Sequence, residues 1–249
     1  MMKKTLLLLA LAASPLAAFA GEDTIAPSPR LGYGAHFGFN LGGALPRSVP
    51  STVERIHHFD PGFGLDLGLD VSWRLGAPSS RWRLCSGLAF EGRGFYTSIS
   101  ARDMPVRYQN TDFAEQHYTG YQSVDQSNQA LTLPLTLSYD LSTHWSLQAG
   151  GYYSHLVDRQ FTARLDGDGL MDGRIYQRET ILPFAIGHMQ VRNELGLLLG
   201  ADCRLDENWG LYGRLKLGMT RTFERSFAVM PYALFPTYLS LGINYTLRR

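Results

Sequence analysis

The chain alternates apolar and polar residues in eight separate segments. In one of them Leu133, Leu135, Leu137 and Tyr139 share one parity, and most positions between them are polar. Successive side chains of a strand point to opposite faces, so this period of two predicts strands with one apolar face and one polar face. The eight predicted strands are residues 31–41, 63–75, 82–96, 132–140, 145–157, 191–205, 209–221 and 238–247.

The connections between these strands alternate between short and long. Short turns are predicted at residues 76–81, 141–144 and 206–208, and long loops at residues 42–62, 97–129, 158–190 and 222–236. Outer-membrane barrels have short periplasmic turns and long extracellular loops. We therefore expect an all-β fold, an eight-stranded antiparallel up-and-down transmembrane β-barrel. A soluble β-sandwich is the alternative, because it obeys the same period of two.

Aromatic residues lie beside the short turns and the C-terminus. All four tryptophans of the chain belong to this group. Because Trp and Tyr are enriched where a barrel meets the membrane surface, we expect an aromatic belt at the inner interface. Its members are Trp73, Trp82, Tyr139, Trp145, Trp209 and Tyr245.

The polar parity carries many charged residues. In a barrel this parity faces the interior, and eight strands enclose only enough room for side chains. We expect a salt-bridged plug, with an ion path as the alternative. The predicted lumen charge network consists of Asp66, Asp70, Arg74, Arg83, Glu91, Glu194, Asp202, Arg204, Arg214 and Lys216, and Arg93 has the same parity.

Residues 1–20 have the features of a secretory signal peptide. Lys3 and Lys4 precede an apolar run, and Ala18-Phe19-Ala20 is a small-x-small cleavage site. The barrel domain is then predicted at residues 21–249. Without the two lysines, 21 of the 23 basic residues remain against 22 acidic ones, and this near-neutral balance predicts no nucleic-acid partner.

Two segments resemble a known family. TLPLTLSY, at residues 132–139, is similar to the IPLLLKY strand of Bacteroidetes outer-membrane β-barrel proteins, the PorT-like or porin-family group. Residues 193–221, with LGLLLGADCRL and WGLYGRLKLGMT, resemble that family's following hairpin, and the architecture resembles small OmpA- and OmpX-type barrels. The resemblance implies the outer membrane of a Gram-negative bacterium and an accessory role in protein secretion.

The last strand resembles the signal that the barrel-assembly machinery reads. The matching residues are Ser240, Gly242, Tyr245 and Leu247. The chain departs from the usual pattern by ending in two arginines in place of an aromatic residue. The implied partners are this machinery during insertion, the lipid of the outer membrane, and a protein or surface ligand at the outer loops.

No residue set has the specificity of a catalytic or metal centre, and no cofactor is expected. The segment DGDGLMDG places Asp166, Asp168 and Asp172 in a predicted outer loop. An EF-hand loop requires an acidic residue or Asn at Leu170 and Glu at Gln177. A solvated turn is therefore expected, with calcium binding as the alternative.

Histidines keep an enzyme open as a second hypothesis. His57 and His58 are adjacent, but no suitable set of metal ligands surrounds them in sequence. His155 falls on the lipid parity near the outer end of its strand, where some outer-membrane lipid hydrolases place a His and a Ser. A Ser or Asp within hydrogen-bond reach of His155 or His117 would favour a barrel enzyme acting on lipid or peptide. The first hypothesis is a non-enzymatic barrel whose outer loops carry recognition, and the third is a narrow passive pore.

The two cysteines are predicted to be free thiols. Cys85 lies on the third strand with inward parity, and Cys203 lies on the sixth with lipid parity. These strands are not neighbours, and a disulfide requires Cα atoms within about 7 Å of each other.

Overall fold

A computed structural model describes residues 30–47, 50–106, 116–171, 174–176, 184–224 and 233–248. The proposed signal peptide, residues 1–20, lies outside the described residues. The strands are β1 (Leu31–Pro46), β2 (Val53–Arg74), β3 (Trp82–Val106), β4 (Gln116–Asp140), β5 (Trp145–Met171), β6 (Arg174–Tyr176), β7 (Phe184–Ala185), β8 (Asn193–Arg204), β9 (Trp209–Gly218) and β10 (Leu234–Arg248). No helix among the described residues has the length and apolar character needed to cross a membrane.

Eight long strands form a closed antiparallel ring. Strands β1 to β5 pair in chain order, β5 pairs with β8, and β8, β9 and β10 follow in order. The ring is completed by β1 and β10, while the short strands β6 and β7 pair with β5 beside the ring. The prediction of an eight-stranded up-and-down barrel is confirmed. The sandwich alternative is wrong, because two packed sheets would leave edges that this ring does not have.

The apolar parity faces outward around the ring. Leu69, Leu135 and Leu195 are each more than half exposed, whereas Asp66 and Glu91 on the opposite parity are completely buried. An apolar surface of this kind suits contact with lipid, and ring closure satisfies the backbone groups that hydrocarbon cannot. The alternation therefore directs charged side chains such as Asp66 and Glu91 into the interior.

Strands β2 to β5 are much longer than predicted. They contain 22, 25, 25 and 27 residues, whereas about 9–11 tilted residues cross a membrane. The predicted loops at residues 42–62, 97–129 and 158–190 are wrong over much of their length, because strands β1 to β5 continue into them. The β1–β2 connection at residues 47–52 is no longer than the inner connection at residues 75–81. Long hairpins, more than long loops, therefore distinguish the outer end from the inner end.

The inner turns are stabilised by hydrogen bonds from side chains to the backbone. In the β8–β9 turn, the Asp206 carboxylate accepts the backbone N–H groups of Trp209 at 2.7 Å and Asn208 at 2.8 Å. These two donors lower the pKa of Asp206 from its ordinary value. The exposed Asp206 carboxylate thus stabilises this turn together with the backbone hydrogen bonds from Leu205 and Asp206 to the Trp209 carbonyl.

An apolar cluster fills the outer part of the barrel interior. The Phe161 ring centroid lies 4.8 Å from that of Phe223 and 6.3 Å from that of Phe95. Ile186 and Phe223 come from segments outside the eight long strands, next to the short 3-10 turn Gly187–Met189. The whole cluster consists of Ala44, Phe95, Val124, Phe161, Ile186, Phe223 and Leu234. The expectation of an interior filled by salt bridges is therefore incomplete, because its outer part is apolar.

Candidate functional site in the barrel interior and on the outer hairpins

Arg93 is the centre of the outer half of the lumen network. Its guanidinium donates to Glu91 at 2.8 Å and to Glu194 at 2.6 Å. Two hydroxyls, Thr132 at 3.0 Å and Ser154 at 2.7 Å, accept its remaining Nη2 donors. A buried charge is tolerated only when it is paired and hydrogen-bonded. The geometry meets that condition with groups from four strands.

Two tyrosine rings pack near the Arg93 guanidinium. The guanidinium carbon lies 5.2 Å from the ring centroid of Tyr238 and 5.9 Å from that of Tyr152, within the range of cation–π contacts. Both rings are almost completely buried. Among the described residues, the interior around Arg93 is thus filled by ion pairs, hydroxyls and aromatic rings, and the apolar cluster that includes Phe95 lies further outward.

Lys216 connects Arg93's partners to the middle of the barrel. Its ammonium donates to Glu91 at 2.7 Å and lies 3.9 Å from Asp66. Asp66 also accepts the Tyr212 hydroxyl at 2.9 Å. One further layer inward, Asp70 lies 2.6 Å from His36 Nδ1 and 3.5 Å from Arg214 Nη2. The mid-lumen is thus crossed by a continuous ionic network.

The inner third of the interior contains a cavity of about 150 Å³, which we call the vestibule. Its lining includes residues of the inner turns, so it opens towards the periplasm, and Arg214 lies at its closed end. At its mouth Arg83 and Arg74 donate to the same carboxylate, Asp140, at 2.6 and 3.3 Å. Arg204 donates to the Thr143 carbonyl.

The sequence predicted ten charged lumen residues. The structure places them in the ionic network around Arg93, Lys216 and Arg214 or around the vestibule. Asp202, for example, accepts the side-chain amides of Gln148 at 3.1 Å and Asn244 at 3.0 Å near the vestibule. Sequence reasoning gave no role to Asp140, His36 or Tyr212. These three residues could have been identified as inward-facing, because their parity matches that of the charged residues.

The predicted belt residues lie near the inner end of the ring. Trp82 and Tyr139 are cross-strand partners with ring centroids 4.7 Å apart, and Trp209 and Tyr245 are partners at 4.8 Å. Trp73 and Trp145 lie at the inner ends of β2 and β5. These six positions have the arrangement that an interfacial belt requires, and the belt itself stays a prediction.

The β10 residues of the assembly pattern form the seam with β1. Ser240 is buried and hydrogen-bonded to Asn40, while Leu247 is 65% exposed. A Cβ at Gly242 would lie 2.3 Å from the Phe37 carbonyl oxygen and 2.8 Å from the Tyr212 ring, so only glycine fits there. In the folded barrel the pattern therefore serves ring closure, and its recognition by assembly machinery stays a prediction.

The outer parts of β2, β3, β4 and β5, beyond the segments needed to cross the membrane, carry polar and aromatic side chains. We call this surface the outer hairpins. Here His57 Nε2 lies 2.7 Å from Ser100 Oγ, and the His57 ring packs on Tyr121. Nearby strands place His117 Nδ1 2.9 Å from Asp103 Oδ1. An acid is thus within reach of His117, the contact that would favour an enzyme, but the serine and the acid contact different histidines.

His155, the other histidine that could favour an enzyme, contacts an amide side chain. Tyr153 donates its hydroxyl to the Asn193 side-chain oxygen at 2.8 Å, and His155 contacts that oxygen at 2.9 Å, so the described neighbour of His155 is an amide.

Among residues 30–248, outside the gaps given above, no group of three metal-ligating side chains is arranged to hold an ion. The possible calcium ligands Asp166 and Asp168 lie where side chains are not described, and Asp172 lies outside the described residues. Cys85 and Cys203 are free thiols, as predicted.

Several solved structures of outer-membrane proteins are similar to this chain at low identity. Ail of Yersinia pestis, in complex with the heparin analogue sucrose octasulfate, is 8% identical, with 88% of this chain and 100% of that chain covered and a TM-score of 0.39. OprG of Pseudomonas aeruginosa is 11% identical, with 92% and 100% covered and a TM-score of 0.40. Neisserial surface protein A is 11% identical, with 88% and 99% covered and a TM-score of 0.32. No curated protein sequence matches the chain.

A protein-family model also matches most of the chain. The outer membrane protein beta-barrel domain matches residues 22–224, which include β1 to β9 and most of the chain. This match agrees with the closed ring and its outward apolar face, and it places the protein in the outer membrane and its lipid. The chain belongs to the outer membrane protein beta-barrel domain family.

Proposed function

We propose that this protein is a non-enzymatic outer-membrane barrel that recognises a protein or surface ligand through its outer hairpins. The observation that carries the proposal is the length of β2 to β5. With about 9–11 residues needed to cross the membrane, half or more of each of these 22- to 27-residue strands extends beyond it. Such a sheet is a rigid platform for recognition.

The side chains of the outer hairpins support this role. Ile56 and Phe59 are 52% and 41% exposed on β2, in a region that also contains the exposed ion pair of Arg102 and Glu54. Exposed aromatic and aliphatic groups beside charged ones are common in protein interfaces. The surface therefore has the composition of a binding face.

The filled lumen argues against a passive pore. Arg93 and its two carboxylate partners are buried, and the apolar cluster lies on their outer side. Conduction would require these layers to open, which would separate buried ion pairs. The resemblance to the PorT-like group supports a narrower version of the proposal, an accessory role in protein secretion.

Photo-crosslinking in living cells tests the proposal. A crosslinking amino acid at Ile56 is expected to yield specific protein or glycan adducts in native outer membranes. The matched control is the same amino acid at Leu215, on the outward face of the membrane region, where adducts with lipid are expected. Equal adduct patterns at both positions would contradict recognition by the hairpins.

Bilayer recordings provide an independent measurement. The purified barrel is expected to show no steady single-channel conductance, because the ionic layers stay closed. Steady channels in the parent protein that widen in Arg93→Ala would favour the pore instead.

A further inference from the structure

The vestibule has an excess of positive charge. Of the residues that the structure describes, five arginines and three aspartates line it, and no lysine or glutamate does. Arginine stays protonated in proteins. Asp70 is already shared with His36, and Asp140 with two guanidiniums. The arginines that line the vestibule are Arg30, Arg74, Arg83, Arg204 and Arg214.

The excess includes the mouth. Arg74, Arg83 and Arg204 come from β2, β3 and β8 and repel one another there, and two carboxylates act on them: Asp140, which accepts from Arg74 and Arg83, and Asp202. Like charges in a partly dehydrated space repel more strongly than in bulk water. The Nε groups of Arg74 and Arg83 also have no acceptor among the described residues. A counter-ion would relieve both deficits.

We propose that the vestibule is a binding site for a phosphate group. Guanidinium forks match the oxygens of phosphate and carboxylate. Three guanidiniums that converge from different strands suit a tetrahedral oxyanion better than the two oxygens of a planar carboxylate. In another protein a cavity of about 150 Å³ accommodates benzene, which is larger than phosphate. The site faces the periplasm and is separate from the outer hairpins.

The phosphate is either free or the end group of a soluble phosphomonoester, or it belongs to a lipid of the inner leaflet. All three sources present non-bridging phosphate oxygens to the arginines: four in free phosphate, three in a monoester and two in the diester of a lipid. Only an ester small enough to enter through the inner turns fits the vestibule, since the ionic layer of Arg214 and Asp70 lies at its other end.

Calorimetric titration of the folded barrel in neutral-lipid nanodiscs tests the site. Inorganic phosphate, at constant ionic strength set with chloride, is expected to bind with a stoichiometry of one. Arg204→Gln is the main variant, because the described hydrogen bond of Arg204 goes to a carbonyl and its loss unpairs no carboxylate. Loss of one charge-assisted contact predicts binding weaker by about tenfold or more. Arg204→Lys keeps the charge and should have intermediate affinity.

Arg102→Gln on the outer hairpins is the matched control, and its phosphate affinity should equal that of the parent protein. Titrations with glycerol 3-phosphate, and with phosphate in nanodiscs containing phosphatidylglycerol, distinguish the sources. Tighter binding of the ester indicates a soluble phosphomonoester, and weaker phosphate binding in anionic nanodiscs indicates a competing lipid headgroup. No saturable phosphate binding, or the same affinity in Arg204→Gln as in the parent, would overturn the proposal.

Discussion

Substitution of Arg93 by Met should strongly destabilise the barrel. The side chain is 3% exposed and binds two carboxylates. After its removal Glu91 still has Lys216 at 2.7 Å, so among the described residues Glu194 is the carboxylate left buried without a cation. Loss of one partner of a buried ion pair costs about 3–5 kcal/mol. We expect the free energy of unfolding of Arg93→Met to decrease by about that amount.

The measurement is urea unfolding in lipid vesicles, followed by the mobility of folded and unfolded barrel on cold gels. Arg102→Met is the matched control, because its ion pair with Glu54 is exposed and should contribute only about 0–1 kcal/mol. The double variant Arg93→Met with Glu194→Gln should recover much of the loss, since no unpaired charge remains. Equal losses for Arg93→Met and Arg102→Met, or no recovery in the double variant, would refute the reasoning.

Further predictions concern the membrane and its two sides. Leu135→Arg should cost about 2–4 kcal/mol of folding free energy in vesicles and Leu247→Arg about 0–1, and equal costs would contradict a lipid-facing strand. In a cysteine-free background, Ile56→Cys should react with an impermeant maleimide on intact cells and Asn208→Cys only after membrane rupture, and the reverse order would invert the topology. The folded pKa of Asp206 is lowered, so its stabilising effect is present above its unfolded pKa of about 3.9 and is lost as pH falls through the lower folded pKa. Melting curves of Asp206→Asn and the parent should therefore differ at neutral pH and converge in acid, and a constant difference would contradict this role.

The ring could be predicted because lipid imposes a strict pattern. Leu135 and its alternate neighbours must be apolar, while Thr136 and Ser138 face a polar interior, so parity alone identified the strands. The outer parts of β4 and β5 lack this pattern, since both faces are outside the membrane. In residues 116–131 polar side chains occupy both parities. The period of two disappears there, although the strand continues.

The sequence predicts which charged residues face the interior, but it does not predict which of them form ion pairs with one another. Parity shows that Arg93 and Glu194 face inward, yet they are 101 positions apart and their depth depends on strand register. Register is set by closure of the whole ring, which no local pattern encodes. The apolar cluster was missed for two reasons. Phe95 lies on the polar parity, where an apolar side chain was not expected, and Phe161 has the lipid parity of His155. A register shift in β5, where Gln129 pairs with Asp158 but Ala130 with Leu156, turns Phe161 inward. The two phenylalanine side chains meet only after β3 and β5 curve around the same axis.

Closure through β1 and β10 has a kinetic consequence. The hydrogen bond between Ser240 and Asn40 joins residues 200 positions apart, and the ring cannot close until the last strand has been synthesised. Contacts between residues so distant in sequence form slowly, because the chain between them must be ordered first. Until then the unpaired backbone of β1 is open to pairing with another chain. A chain that ends before residue 234 would lack β10 and leave the edge of β1 unpaired, and such a truncated barrel should therefore be prone to aggregation.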